Sequence, residues 1–136
     1  MSQLVSYLHF DGNCRDAFAF YQECFGGELS IQLVGESPMA GHMPPELHNR
    51  VLHASLTSGS IALMGSDMLG AEGLVIGNGV SLCLVCSSKE DITRFFDKLS
   101  QGGRVEHPLK EEFFGTFGDL VDRYGYGWML QYSGGA

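Results

Sequence analysis

The chain has 136 residues, 44% of them hydrophobic and 18% charged. That is the size of one ordinary domain with enough apolar content for a core, and it excludes a disordered tail. Sixteen acidic residues against eight basic ones leave a net charge of −8, a field that repels phosphate backbones and argues against a nucleic-acid partner.

In chain order, residues 5–10 read as a short strand. A helix follows, because Ala17, Phe20, Tyr21 and Cys24 recur at i, i+3, i+4 and i+7, the apolar stripe of an amphipathic helix. Asn13 with Asp16 is a loose capping pair at its start, and Gly26-Gly27 is the expected left-handed stop. Residues 28–34, 50–57 and 60–65 read as further strands, the last two joined by a turn at Ser58-Gly59. Between them, residues 35–49 carry Pro38, Pro44, Pro45, His42 and His48 and form a long loop, a length often functional or mobile. Gly-rich residues 65–79 are the expected linker.

The plan then repeats. Residues 80–86 read as a strand, and Ile92, Phe95, Phe96 and Leu99 repeat the helical stripe, each 75 residues after its counterpart. Ser88 with Asp91 makes a capping box, and Gly102-Gly103 ends the helix. Strands are expected at 104–107, 117–121 and 128–132, with Tyr124-Gly125 as a turn. The expectation is an α+β fold, a single domain of two βαβββ modules at about 1–66 and 79–136. A sheet with one helix has one bare face. Two such modules, within a chain or between chains, would set curled mixed sheets around a cavity, and covering exposed strand edges would make a homodimer.

No apolar run nears the roughly 20 residues of a membrane span, and the first residues lack a basic stretch followed by a long apolar one. A cytoplasmic protein with no membrane partner is expected. Cys83-Leu84-Val85-Cys86 matches a redox spacing, but residues three apart on a strand point to opposite faces, so buried structural thiols are the better account. Gly77-Asn78-Gly79 precedes a strand rather than a helix, so it is no phosphate loop.

The run Tyr7-Leu8-His9-Phe10-Asp11-Gly12-Asn13-Cys14-Arg15-Asp16-Ala17, followed by Phe20-Tyr21 and Phe25-Gly26-Gly27, resembles the opening of PhnB-like proteins. These belong to the glyoxalase/bleomycin-resistance/extradiol-dioxygenase group, the vicinal oxygen chelate superfamily. The second half agrees through Phe96-Asp97-Lys98-Leu99, Gly102-Gly103, Phe113-Phe114-Gly115, Asp122-Arg123-Tyr124-Gly125 and Trp128. Arg123 stands where proline is common in that last turn.

The resemblance implies paired βαβββ modules, usually a homodimer, around a pocket that in the superfamily's enzymes holds a divalent metal on His, Gln and Glu. At the implied ligand positions this chain has Val5 or Ser6, Ala62 or Leu63, Ser81 and Met129. Methyl, hydroxyl and thioether groups do not hold a hard or borderline divalent cation there. No cofactor is expected, and a divalent metal on displaced ligands such as His9, His53 and Asp67 is the alternative. Some relatives bear the name of a ubiquinone methyltransferase, but nothing in this sequence resembles a methyl-donor site.

Strand alternation places Leu8 and Phe10 under the helix and turns Tyr7 and His9 to the cavity. His53 alternates with Leu52, Ala54 and Leu56 and points the same way; if it meets His9, the two make a weak metal site or an acid–base pair. Met129 and Gln131 share a strand face, Met129 as adaptable packing and Gln131 as a ligand-orienting amide or a rim residue. Phe113, Phe114 and Phe117 surround Gly115 as a pocket wall, a lid or a dimer core. The candidate pocket is therefore Tyr7, His9, His53, Asp67, Phe114, Met129 and Gln131. The leading expectation is a small-molecule-binding protein that either sequesters its ligand or acts on it by metal-free acid–base chemistry through His9 or His53. A metal-dependent lyase or dioxygenase relative and a bleomycin-type antibiotic binder are the alternatives.

Overall fold

A computed structural model describes residues 2–70 and 73–133. The chain divides between Val75 and Ile76 into two compact units. Ala71 and Glu72 of the expected linker lie outside the described residues.

The first unit holds β1 (Ser6–Phe10), α1 (Cys14–Phe25), β2 (Glu28–Leu33), β3 (Val51–Ser58) and β4 (Ile61–Asp67). Its sheet runs β1-β4-β3-β2, with β1 parallel to β4 and the other pairs antiparallel. The second unit repeats this with β5 (Ser81–Val85), α2 (Lys89–Ser100), β6 (Arg104–Glu112), β7 (Gly115–Val121) and β8 (Gly127–Tyr132), in the order β5-β8-β7-β6. The fold is α+β, two open four-stranded mixed sheets of βαβββ connectivity. Among the described residues no helix is long and apolar enough to cross a membrane.

Helix α1 buries its whole predicted stripe and α2 three of its four positions. Ala17, Phe20, Tyr21 and Cys24 of α1 are buried, and Phe18 packs edge-on against Phe10 and Tyr21 at centroid distances of 6.1 and 5.8 Å. Gly65 of β4 lies directly beneath α1. A Cβ there would lie 2.7 Å from both the Phe18 ring and the Leu8 carbonyl oxygen. In α2, Ile92, Phe96 and Leu99 are buried, whereas Phe95 is half-buried with the Arg94 guanidinium 4.7 Å from its ring centroid. Ser88 caps α2 as expected, its hydroxyl accepting from the Asp91 amide at 3.0 Å.

Three local expectations change. The Asn13 side chain does not cap α1; the Asp67 carboxylate takes that place, accepting from the Cys14 amide at the helix start. Strand β4 runs on to Asp67, so this residue ends a strand and is buried rather than opening a loop. Strand β6 extends past His107 to Glu112. Its charged, largely exposed residues and Pro108 obscure a strand signal, yet an edge strand tolerates both. The loop 35–49 carries three short 3-10 helices. There His48 Nε2 lies 3.0 Å from the Ala40 and 3.1 Å from the Met43 carbonyl oxygen, which gives that histidine a structural role.

Candidate functional site

Pleating sorts the first sheet into two faces. Leu8, Phe10, Ala54, Leu56 and Leu63 are buried beneath α1. Tyr7 and His9 of β1 and His53 of β3 fall on the opposite face. There the Tyr7 ring stands between the two histidines, its centroid 5.3 Å from that of His9 and 6.0 Å from that of His53. Register supplies the rest of this face: Met64 beside Tyr7, Ser66 beside His9, and Gln32 beside His53. A phenol flanked by two imidazoles offers stacking surface together with proton donors and acceptors.

Asp67 does not join that cluster. Its Oδ1 accepts from the amides of Gly12 and Cys14 at 2.8 and 3.0 Å, and its Oδ2 from the Val51 amide at 2.8 Å. Alternation turns it to the helix side with Leu63 and Gly65, away from His9 and His53. The carboxylate ties the end of β4 to the start of α1 and the start of β3. The displaced metal set His9, His53 and Asp67 is therefore not assembled.

In the second sheet Leu120, Trp128 and Leu130 are buried on the α2 side. Met129 and Gln131 lie on the opposite face with Cys83, Phe117 and Asp119, paired as Cys83–Met129, Asp119–Met129 and Phe117–Gln131. Across the next ladder His107 faces Asp119, and its Nδ1 is 2.8 Å from Asp119 Oδ1. Sequence reasoning missed this pair. A regular hairpin about Phe113-Phe114 would set Asp119 opposite Pro108, and register shifts on both sides of His107 move it by one residue.

Phe114 goes elsewhere. It forms the β6–β7 turn with Phe113, the rings edge-on at 5.3 Å, beside a cavity of about 330 Å³. That cavity is lined by Lys89 at the start of α2, Glu111, Thr116 and Tyr132. Thr116 and Tyr132 lie on the helix side of the sheet, so Phe114 is parted from Met129 and Gln131. Lys89 pairs with Glu111, and that hydrogen bond holds the lysine's pKa up and the carboxyl's down.

The chemistry of the metal positions is unfavourable. Of the implied positions, Ala62 falls on the face of the first sheet away from α1 and Leu63 is buried beneath the helix. Val5 precedes β1 and Ser6 opens it, and Ser81 and Met129 share the face of the second sheet away from α2. Methyl, hydroxyl and thioether groups at these positions do not fit a hard or borderline divalent cation, which takes carboxylate, imidazole or thiolate. Cys83 and Cys86 split as strand geometry requires, so Cys83 departs from the expectation of buried thiols. Cys83 is exposed on the face away from α2, whereas Cys86 is buried, its thiol pushed up to about 11 by burial, then by Asp91 and Cys83. Cys14 is pushed up to about 12, first by burial and then by the Asp67 charge.

A family profile described as 3-demethylubiquinone-9 3-methyltransferase matches residues 2–131. The chain is 30% identical to protein YjdN of Escherichia coli K12 over 136 residues, covering 93% of this chain and 92% of that one. Among solved structures, protein PA1353 of Pseudomonas aeruginosa is 38% identical over 98% of each chain, with a TM-score of 0.87. A PhnB protein of Bacillus cereus is 27% identical, covering 96% of this chain and 99% of its own, with a TM-score of 0.76. Two remoter structures share the fold alone. One is a glyoxalase/bleomycin resistance protein/dioxygenase family enzyme of Burkholderia phytofirmans, 16% identical over 94% and 97% of the chains at a TM-score of 0.60. The other is the fosfomycin resistance protein FosX of Listeria monocytogenes, complexed with Mn(II) and a dihydroxypropylphosphonic acid, 11% identical over 96% and 92% at a TM-score of 0.64.

Proposed function

This chain belongs to the 3-demethylubiquinone-9 3-methyltransferase family, the PhnB-like members of the glyoxalase/bleomycin-resistance superfamily, and from that premise we propose that it binds a small, partly apolar molecule without a divalent metal. The observation that carries the proposal is the Tyr7–His9–His53 cluster on the face of the first sheet opposite α1. The phenol and imidazole rings offer stacking area to an apolar body, and their polar atoms offer hydrogen bonds and proton transfer to its polar end. The binding of small molecules elsewhere in this fold, as in FosX, supports the same reading. FosX's metal does not carry over, because its likeness is of fold and the donors here are unsuitable.

Methyl transfer is not part of the proposal. A homodimer and a reducing, cytoplasmic setting complete it. The edges of both sheets need cover, and the four cysteines, all among the described residues, form no disulfide.

A fluorine-NMR fragment screen tests the binding reading. Hits are expected to move the His9 and His53 ring resonances. His53→Ala should weaken them by roughly tenfold, about 1.4 kcal/mol, while the fold persists. Phe18→Ala should instead cost about 3–5 kcal/mol of stability as a core truncation. Hits whose affinity is unchanged in both Tyr7→Ala and His53→Ala would overturn the assignment.

A further inference from the structure

The second sheet carries a proton-transfer pair that the first lacks. In one transverse row of the face away from α2 stand Cys83, Met129, Asp119 and His107, one from each strand. The corresponding row of the first sheet is Tyr7, Met64, Ser55 and Ser30. Where the first sheet places two hydroxyls, the second places a carboxylate and an imidazole joined at 2.8 Å.

Their chemistry follows from the geometry. An ionised carboxylate only accepts hydrogen bonds, so the His107 Nδ1 facing Asp119 must carry the proton. In the neutral ring Nε2 is then the lone-pair nitrogen. The His107 side chain is 76% exposed and that of Asp119 only 26%, so the carboxylate anchors the pair and the imidazole reaches outward. Phe117 and Met129 supply apolar surface on the same face, and Gln131 a side-chain amide.

We propose that His107, positioned by Asp119, is a proton-accepting site for a small, partly apolar ligand bearing a weakly acidic hydroxyl. The hydroxyl proton passes to His107 Nε2. The resulting imidazolium is balanced by Asp119 at Nδ1, and the ligand oxygen keeps the electron pair of its O–H bond as an oxyanion. The proposal deepens the binding function above and rests on reading the sheet faces opposite the helices as ligand surfaces.

The probe is 4-nitrophenol, whose visible absorption reports its ionisation. At a pH just below the probe's own pKa, the wild-type protein is expected to raise the phenolate fraction from under half toward complete ionisation, with chemical-shift changes at His107. His107→Ala should abolish the phenolate signal; since the side chain is exposed, the fold should persist by circular dichroism. Asp119→Asn should convert the ring to a mixture of tautomers, read by nitrogen-15 NMR of the imidazole, and lower the phenolate signal. His107 found as the Nε2–H tautomer in the wild type would overturn the proposal, as would a phenolate signal unchanged in His107→Ala. No probe binding, while the fragment screen still finds ligands at Tyr7 and His53, would overturn this inference alone. Failure at both faces would remove the binding function as well.

Discussion

Asp67→Asn isolates the role of a buried carboxylate, because it changes two protons and almost no volume. Asp67 is 5% exposed and receives the amides of Gly12, Cys14 and Val51 at 2.8, 3.0 and 2.8 Å. In the variant one oxygen still accepts from Gly12 and Cys14, but the new NH2 group points a donor at the Val51 amide. One charge-assisted hydrogen bond, worth about 1.5–3 kcal/mol, is lost, and the remaining two weaken to the neutral kind. The sum is a loss of about 3 kcal/mol. With a urea slope of about 1–3 kcal/mol/M for a protein of this size, the midpoint should fall by roughly 1–3 M. Amide exchange at Gly12, Cys14 and Val51 should accelerate with it, because those donors lose their acceptor. Asp119→Asn is the control, on an exposed pair, and should stay within about 0.5 kcal/mol. An Asp67→Asn loss below about 0.5 kcal/mol would refute the reasoning and leave this carboxylate available for a ligand.

Gly65→Ala should destabilise by about 1–3 kcal/mol through overpacking, because its Cβ meets the Leu8 carbonyl oxygen, backbone that cannot swing aside, at 2.7 Å. Gly118→Ala should cost less, since its nearest neighbours at 2.9 Å are side-chain ends of Leu109 and Phe96; equal losses by thermal unfolding would contradict that ordering. With a thiol reagent near neutral pH, Cys83 should react first and Cys14 and Cys86 only on unfolding, as counted by mass spectrometry. Their folded values of about 12 and about 11 exceed the ordinary 9.0, so the unfolded chain releases those protons first. Stability should therefore be intact below pH 9.0 and decline as pH rises through 11 to 12. Elemental analysis of the purified protein should find no stoichiometric divalent metal; about one per chain, surviving mild chelation, would restore the metal-dependent alternative.

The helices were legible because their information is local. The stripe from Ala17 to Cys24 and its copy from Ile92 to Leu99 repeat at the helical period, and the glycine pairs and Ser88 mark their ends. Alternation likewise placed Tyr7, His9 and His53 on one face, since side chains on a strand must alternate whatever the strand pairs with. What tertiary structure alone decided concerns partners far apart in sequence. Asp67 reads as a loop carboxylate until β4 pairs with β1 and β3, which brings its oxygens to amides 16 to 55 residues away. Phe114 reads as a pocket wall, a lid or a dimer core and is grouped with Met129 and Gln131, but it lines a cavity with Thr116 and Tyr132 on the helix side of the sheet. The His107–Asp119 pair depends on register shifts around Pro108, and a shift of one residue in a ladder is an energetic outcome of packing with no local code in the chain.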